Sequence, residues 1–138
     1  MKKRLLQLFI VPVIVFGVFS CSSKSGGGGG GSDEANLVVT LNPPAGSTQP
    51  AAPQIDFPLT VSITSTMPPQ GVTIDVKAAP DGSATNFFTE SKSSTAANNN
   101  FTITGTPTGV VSVVTVTVTS KTKATNTVTL SYRYTRKP

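Results

Sequence analysis

The sequence contains no histidine, no tryptophan and a single cysteine, Cys21, among its 138 residues. The lack of histidine and of a thiol cluster excludes the usual zinc sites, and one cysteine cannot form a disulfide within the chain. Charged residues make up only 12% of the sequence, about half the usual share of a globular protein. Threonine, serine and valine take their place, which favours strands because branched side chains fit a pleated, half-buried surface.

The excess of basic residues belongs mostly to the first four positions. The formal net charge is +5, and Lys2, Lys3 and Arg4 supply three of these charges. Removal of the segment before Cys21 leaves eight Lys or Arg against six Asp or Glu, a balance of +2. The remaining basic residues are scattered, apart from small groups at 121–123 and 133–137. We therefore expect no nucleic-acid partner.

Residues 1–20 have the three-part layout of a secretory signal peptide. The basic start is followed by an apolar run over residues 5–19, and the small residue Ser20 precedes Cys21. The run is shorter than the ~20 residues that a spanning helix needs, and Pro12 disfavours a regular helix across it. A cleaved signal peptide is the prediction, and a transmembrane helix is the alternative.

The segment Val18-Phe19-Ser20-Cys21 resembles the lipobox of bacterial lipoproteins. Val18, Ser20 and Cys21 match the aliphatic residue, the small residue and the invariant cysteine of that family. The resemblance implies cleavage before Cys21, a diacylglycerol thioether on its Sγ atom and acylation of the new α-amine, so membrane lipid would be the partner. Two or three acyl chains hold a protein firmly to a membrane, whereas one binds marginally. A free thiol, or a small apolar residue inside the signal, is the alternative for Cys21.

Residues 21–36 are predicted to form a flexible tether behind the lipidated cysteine. Six consecutive glycines cannot specify a strand or helix, because each loses maximal backbone entropy on ordering. This Ser- and Gly-rich tract resembles those of surface and outer-membrane lipoproteins of the Bacteroidota. In the enterobacterial sorting scheme, Ser22 behind the cysteine implies delivery to the outer membrane. We expect a lipid-anchored protein of the bacterial cell envelope, in the outer membrane, with the periplasmic or the surface side left open.

Residues 37–138 are predicted to form one all-β domain, because apolar and polar residues alternate between turns rich in Pro, Gly and Asn. The predicted strands are 37–41, 57–63, 72–76, 86–90, 101–103, 114–119 and 128–134. Loops are expected at 42–54 and 91–99, and a bulge or an entry bend is expected near Ser112 and Val113, where the valines change parity. This pattern resembles an immunoglobulin-like or fibronectin type III β-sandwich. The resemblance implies two packed sheets of about seven strands.

The domain offers few groups for catalysis. Without histidine, a general base must come from Asp, Glu, Lys or Tyr, and the domain's acids are Asp56, Asp75, Asp81 and Glu90. Asp81 lies in a Pro-Asp-Gly turn, and one carboxylate is too few for a calcium loop. We expect no enzymatic activity, no metal and no cofactor.

Phe87 and Phe88 form the candidate contact surface. Adjacent strand residues point to opposite faces, so we expect one ring in the core. The other would contact a partner, such as a glycan or an envelope protein, or lie under the loop at 91–99. Tyr132 and Tyr134 are expected in the core. The predicted function is a non-enzymatic, adhesin-like binding module, the alternative is a structural spacer or a subunit of an envelope assembly, and an enzyme ranks third.

Overall fold

A computed structural model describes residues 34–138; the predicted signal peptide, Cys21 and the glycine run lie outside this range. The described residues contain no helix and form two antiparallel sheets, with strand orders β1-β2-β5 and β4-β3-β6-β7. The strands are β1 (Val39–Asn42), β2 (Phe57–Ile63), β3 (Val72–Pro80), β4 (Phe88–Ser94), β5 (Asn98–Ile103), β6 (Val111–Ser120) and β7 (Thr127–Thr135). The seven-stranded all-β sandwich predicted from the sequence is confirmed.

The core consists of every second residue of the strands, as the pleat requires. In β2 the buried residues include Leu59 and Val61, and in β3 and β6 most of the fully buried positions are held by β-branched residues such as Ile74 and Val116. Complete burial of such a side chain contributes ~1.5–3 kcal/mol. The intervening positions of these strands are mostly threonine and serine, which leaves a polar outer face on each sheet.

Strand β4 pairs with β3 rather than with β5. In constant-type antibody domains, by contrast, the fourth strand lies in the sheet that contains the fifth. As a result, β4 and β5 form edges of different sheets, and the short connection at 95–97 joins them.

Residues 46–52 run parallel to β7 and cover its outer edge. The backbone N–H groups of Gly46, Gln49 and Ala52 donate to carbonyl groups of β7 at 2.7, 2.8 and 3.1 Å. The segment predicted as a loop at 42–54 contains no strand beyond Asn42, but this part of it is hydrogen-bonded to the sheet edge. Proline is confined to edge positions of a sheet because it lacks a donor, and here three non-proline residues supply the donors that the edge requires.

The boundaries of β4 and β5 differ from the prediction. The predicted strand at 86–90 begins at Phe88 and continues to Ser94, and β5 begins at Asn98, so most of the predicted loop at 91–99 is strand. The polar sequence misled the prediction because both are edge strands with one face in solvent. Asn98 and Asn100 accept hydrogen bonds from Ser62 and Thr60 at 2.8 and 3.0 Å. Strand β1 begins two residues later than predicted, and β3 extends to Pro80.

No bulge interrupts the chain near Ser112 and Val113, although a bend at Val110 precedes the start of β6. Strand β6 keeps an unbroken register with both neighbours, in which Ser112 pairs with Pro80 and with Tyr134. Parity is preserved because Ser112 takes the core position, completely buried, while Val111 lies outside and 42% exposed. At the start of this strand a serine stands at a buried position and a valine at an exposed one. The same shift in the apolar pattern is expected where a bulge adds one residue to a strand.

Candidate functional site

The start of the described chain is held at one end of the sandwich by the turn between β6 and β7. The buried side chain of Asn126 accepts a hydrogen bond from the Leu37 N–H at 2.9 Å and donates to the Ala35 carbonyl at 3.0 Å and to the Glu34 carboxylate. The other oxygen of Glu34 accepts a hydrogen bond from the Ser120 hydroxyl at 3.0 Å. Residues 34–36, assigned to the tether by sequence, therefore belong to the folded domain. We call this the tether end.

The opposite end, which we call the distal end, carries the connections at 53–56, 81–87 and 104–110. Strand β7 rises from the tether end to Thr135, a distance of roughly 27 Å at 3.4 Å per residue. Three of the large apolar side chains exposed in residues 34–138 lie here: Ile55 at 62%, Val110 at 38% and Val111 at 42%. The fourth, Val38, lies at the tether end and is 54% exposed.

An apolar pocket of about 170 Å³ lies between the edge segment 46–52 and the core. Its walls include Pro50, Ala52, Phe57, Tyr132 and Tyr134, and none of its lining side chains is charged. The rings of Phe57 and Tyr134 are 4.3 Å apart, and those of Tyr132 and Tyr134 are 6.1 Å apart. The pocket therefore suits a small, neutral and largely apolar group.

The two tyrosines of β7 differ in how their buried hydroxyl groups are satisfied. The Tyr134 hydroxyl shares a hydrogen bond of 2.6 Å with the buried Thr106 hydroxyl. The Tyr132 hydroxyl has no hydrogen-bond partner within residues 34–138. Burial raises the pKa of both tyrosines; the charge of Tyr134 raises that of Tyr132 further, and the bond to Thr106 partly offsets the rise in Tyr134.

Substitution of each tyrosine by phenylalanine should change the free energy of unfolding in opposite directions. Tyr132→Phe removes an unsatisfied buried hydroxyl and is expected to raise the free energy of unfolding by about 1 kcal/mol. Tyr134→Phe leaves Thr106 unpaired and is expected to lower that free energy by about 1–2 kcal/mol. Urea denaturation of the two variants measures both changes.

Alkaline pH provides a second readout of the same pair. Because the pKa of each tyrosine is raised in the folded state, the unfolded chain loses its tyrosine protons first as the pH rises above about 10. Stability that is complete below that pH is therefore lost as the pH rises towards the folded-state pKa. Tyr132→Phe should weaken this dependence, and an alkaline unfolding curve identical to that of the unchanged protein would contradict the assignment.

A polar groove of about 350 Å³ lies on the outer face of the four-stranded sheet at the distal end. We call it the Lys77–Arg133 groove. Its floor is formed by Ala79 of β3 and Val113 of β6, and its wall is the turn from Asp81 to Asn86. The Arg133 Nε atom donates to the Asp81 carboxylate at 3.1 Å. The arrangement can bind an anion, because two cations lie on either side of a small, uncharged floor.

Phe87 and Phe88, the contact residues predicted from sequence, are both half-buried and pack against the core. The expected division into one core ring and one exposed ring is not found, because Phe87 precedes the strand and Phe88 is its first residue. Their role as a partner contact stays a prediction. No signal in the local sequence marked the Lys77–Arg133 groove, since its residues come from three strands and a turn.

The acidic residues of the domain do not converge. No group of three or more Cys, Asp or Glu side chains that could hold a metal ion occurs within residues 34–138. Asp81, in the Pro-Asp-Gly turn, pairs with Arg133. Nor does any helix long and apolar enough to cross a membrane occur in the part of the chain that the structure describes.

No known protein-family model, curated protein or solved structure matches this chain. Its function has to be inferred from its own residues.

Proposed function

We propose that this protein is a lipid-anchored envelope lipoprotein whose β-sandwich acts as a non-enzymatic, adhesin-like binding module. The lipobox-like segment ending at Cys21 supports the anchor, and the glycine run supports a tether. Cys21 is the proposed lipidation site, and a glycan or an envelope protein is the proposed partner. The outer membrane is the proposed location.

One observation carries the binding role: the chain enters the domain at the end opposite to the Lys77–Arg133 groove and to three of the four large exposed apolar side chains of residues 34–138. Glu34 and Leu37 are bonded to the turn at 121–126, whereas the groove, Ile55 and Val110 lie at the distal end. A tether at residues 21–33 would join the lipid to the first of these ends. The attachment point would then not cover the distal end, which stays free for a partner.

The proposal is tested with the full-length lipoprotein in detergent and two matched variants. Ile55→Ser removes an exposed apolar side chain at the distal end, and Val38→Ser removes a comparable one at the tether end. Proteins that co-purify from native membranes, and binding to arrayed glycans, are compared for all three forms. We expect the distal variant to lose partner binding by about tenfold, the effect of ~1.4 kcal/mol, and the tether-end variant to retain it.

Loss of binding in both variants, or in neither, would contradict a distal contact. Failure of the unchanged protein to bind any glycan or membrane protein would favour the spacer role.

A role as a subunit of a larger envelope assembly is the second candidate. Strand β5 pairs with β2 alone among residues 34–138, and an open edge accepts a further strand from a partner. The edge of β4 is less suitable for strand addition, because Lys92 pairs with the buried Ile74 and so lies on the face of the sheet that contacts the core. Its ammonium group is 5.8 Å from the centre of the Phe101 ring. Inward-pointing charges of this kind block strand pairing. Crosslinking in intact cells through a cysteine at Asn100 distinguishes this candidate from the first.

A further inference from the structure

We propose that the Lys77–Arg133 groove binds a carboxylate-bearing sugar, an inference that rests on the proposed binding function and names its ligand class. The groove of about 350 Å³ is at the lower end of the size range of small-molecule sites. A single acidic sugar with part of its neighbour matches this size.

The two cations project from the same face of the sheet and flank strand β6. Lys77 pairs with Thr115, and Arg133 pairs with Val113, the residue two positions earlier on the same strand. Two strand spacings and this offset separate their Cα atoms by about 12 Å. Side chains of this length can approach one bound group from both sides of β6.

The arginine is oriented by a turn that is itself fixed to β6. The Asp81 N–H donates to the Val111 carbonyl at 2.8 Å, and the Ser83 N–H donates to the Pro80 carbonyl at 2.9 Å. The Asp81 carboxylate then holds Arg133 through Nε, which leaves the two terminal nitrogens free to bind a ligand. Their paired geometry matches a carboxylate.

The charge of the groove favours an anion. The pair between Arg133 and Asp81 is the only ion pair within residues 34–138, so the Lys77 ammonium group has no carboxylate within salt-bridge distance there. Asp75, two residues before Lys77 on the same face, is the other acid of this sheet face and does not line the groove. The lining residues therefore contain two cations and one acid, which is already engaged.

The floor and rim favour a sugar over other anions. Ala79 and Val113 lie opposite each other in the register, and both are half-buried, so they present a small apolar surface to the C–H face of a ring. The Asn86 amide and the Thr115 hydroxyl lie at the rim and can bind ring hydroxyl groups. An acidic peptide would use the cations but not this combination.

The test uses the full-length lipoprotein in detergent and two matched probes, measured by titration calorimetry at physiological salt. One is a tetrasaccharide of β-1,4-linked glucuronic acid, and the other is the corresponding glucose tetrasaccharide, in which a hydroxymethyl group replaces each carboxylate. The variants are Lys77→Gln and Arg133→Ala, and Lys121→Ala at the tether end is the control. Thermal unfolding of each variant confirms that it is folded.

We expect the acidic tetrasaccharide to bind at least tenfold more tightly than the neutral one. Each groove variant should lose this preference, and the control variant should keep it. Equal binding of the two probes, no binding of either, or groove variants that behave like the control would overturn the proposal. Tetraglutamate that binds with the same affinity and the same variant dependence would overturn the assignment to sugars.

These outcomes separate the groove from the wider proposal. Suppose that a partner co-purifies with the unchanged protein, is lost in Ile55→Ser and still binds the groove variants. The proposed binding function would then hold, but the groove would not be its binding site.

Discussion

Replacement of Cys21 by alanine is expected to move the protein out of the membrane fraction. The thioether at its Sγ atom would attach two acyl chains, and each buried methylene group contributes ~0.8 kcal/mol to membrane binding. Without that sulfur the thioether cannot form. The chain would then be released in soluble form or stay as the unprocessed precursor, with nearly complete loss from washed outer membranes.

Ser23→Ala is the matched control, because it changes a neighbouring position that the lipobox resemblance does not use. Its fractionation should equal that of the unchanged protein. Mass spectrometry of the native N-terminus provides the direct readout, with an acylated Cys21 as the first residue. An intact Met1 without acyl mass at residue 21 would overturn the anchor and the location together.

Substitution of Gly71 by alanine is expected to be among the most destabilising single changes in the domain. Gly71 has a φ of 76°, and a non-glycine residue there costs ~1–2 kcal/mol. An added Cβ atom would also collide with the backbone carbonyl oxygen of Ser94 and lie 2.9 Å from the Thr95 Cγ2 atom. Overpacking against backbone costs ~1–3 kcal/mol more, so we expect a total loss of about 2–5 kcal/mol, measured by urea denaturation.

Gly82→Ala separates the two contributions. Gly82 has nearly the same φ, 79°, but an added Cβ atom would meet nothing within 4 Å. It should therefore lose only the conformational part, ~1–2 kcal/mol. Equal losses of free energy of unfolding at the two glycines would show that the close approach of the Ser94 backbone and the Thr95 side chain does not limit the turn at Gly71.

The sequence predicted most accurately those strands whose buried face consists of large apolar residues. The bounds of β2 agree at both ends with the predicted 57–63, because the buried residues Phe57, Leu59, Val61 and Ile63 recur at every second position without interruption. The prediction was less accurate where packing does not require apolar side chains. Strand β4 has the sequence Phe-Thr-Glu-Ser-Lys-Ser-Ser, which shows no hydrophobic alternation. This strand is held in the sheet by its hydrogen bonds to β3.

The candidate site lay almost wholly beyond sequence analysis. Asp81 and Arg133 are 52 positions apart, and Leu37 and Asn126 are 89 apart. No local pattern relates such pairs, because their proximity depends on the order in which strands join the sheets. Phe87 and Phe88 were predicted as a contact surface because two adjacent aromatic residues stood in a predicted strand. Their half-burial depends on where β4 begins.

The alternation of side chains by itself determined that the domain is a sandwich, and it determined which side chains face the core of most strands. That information is local, since each residue's face follows from its neighbours along the same strand. Only the tertiary structure decided that β4 pairs with β3, that residues 46–52 close the edge of β7, and that the chain enters opposite to the groove. These features depend on backbone hydrogen bonds and on burial between segments that are far apart in the sequence. Such contacts leave no periodic signal in the sequence of any single segment.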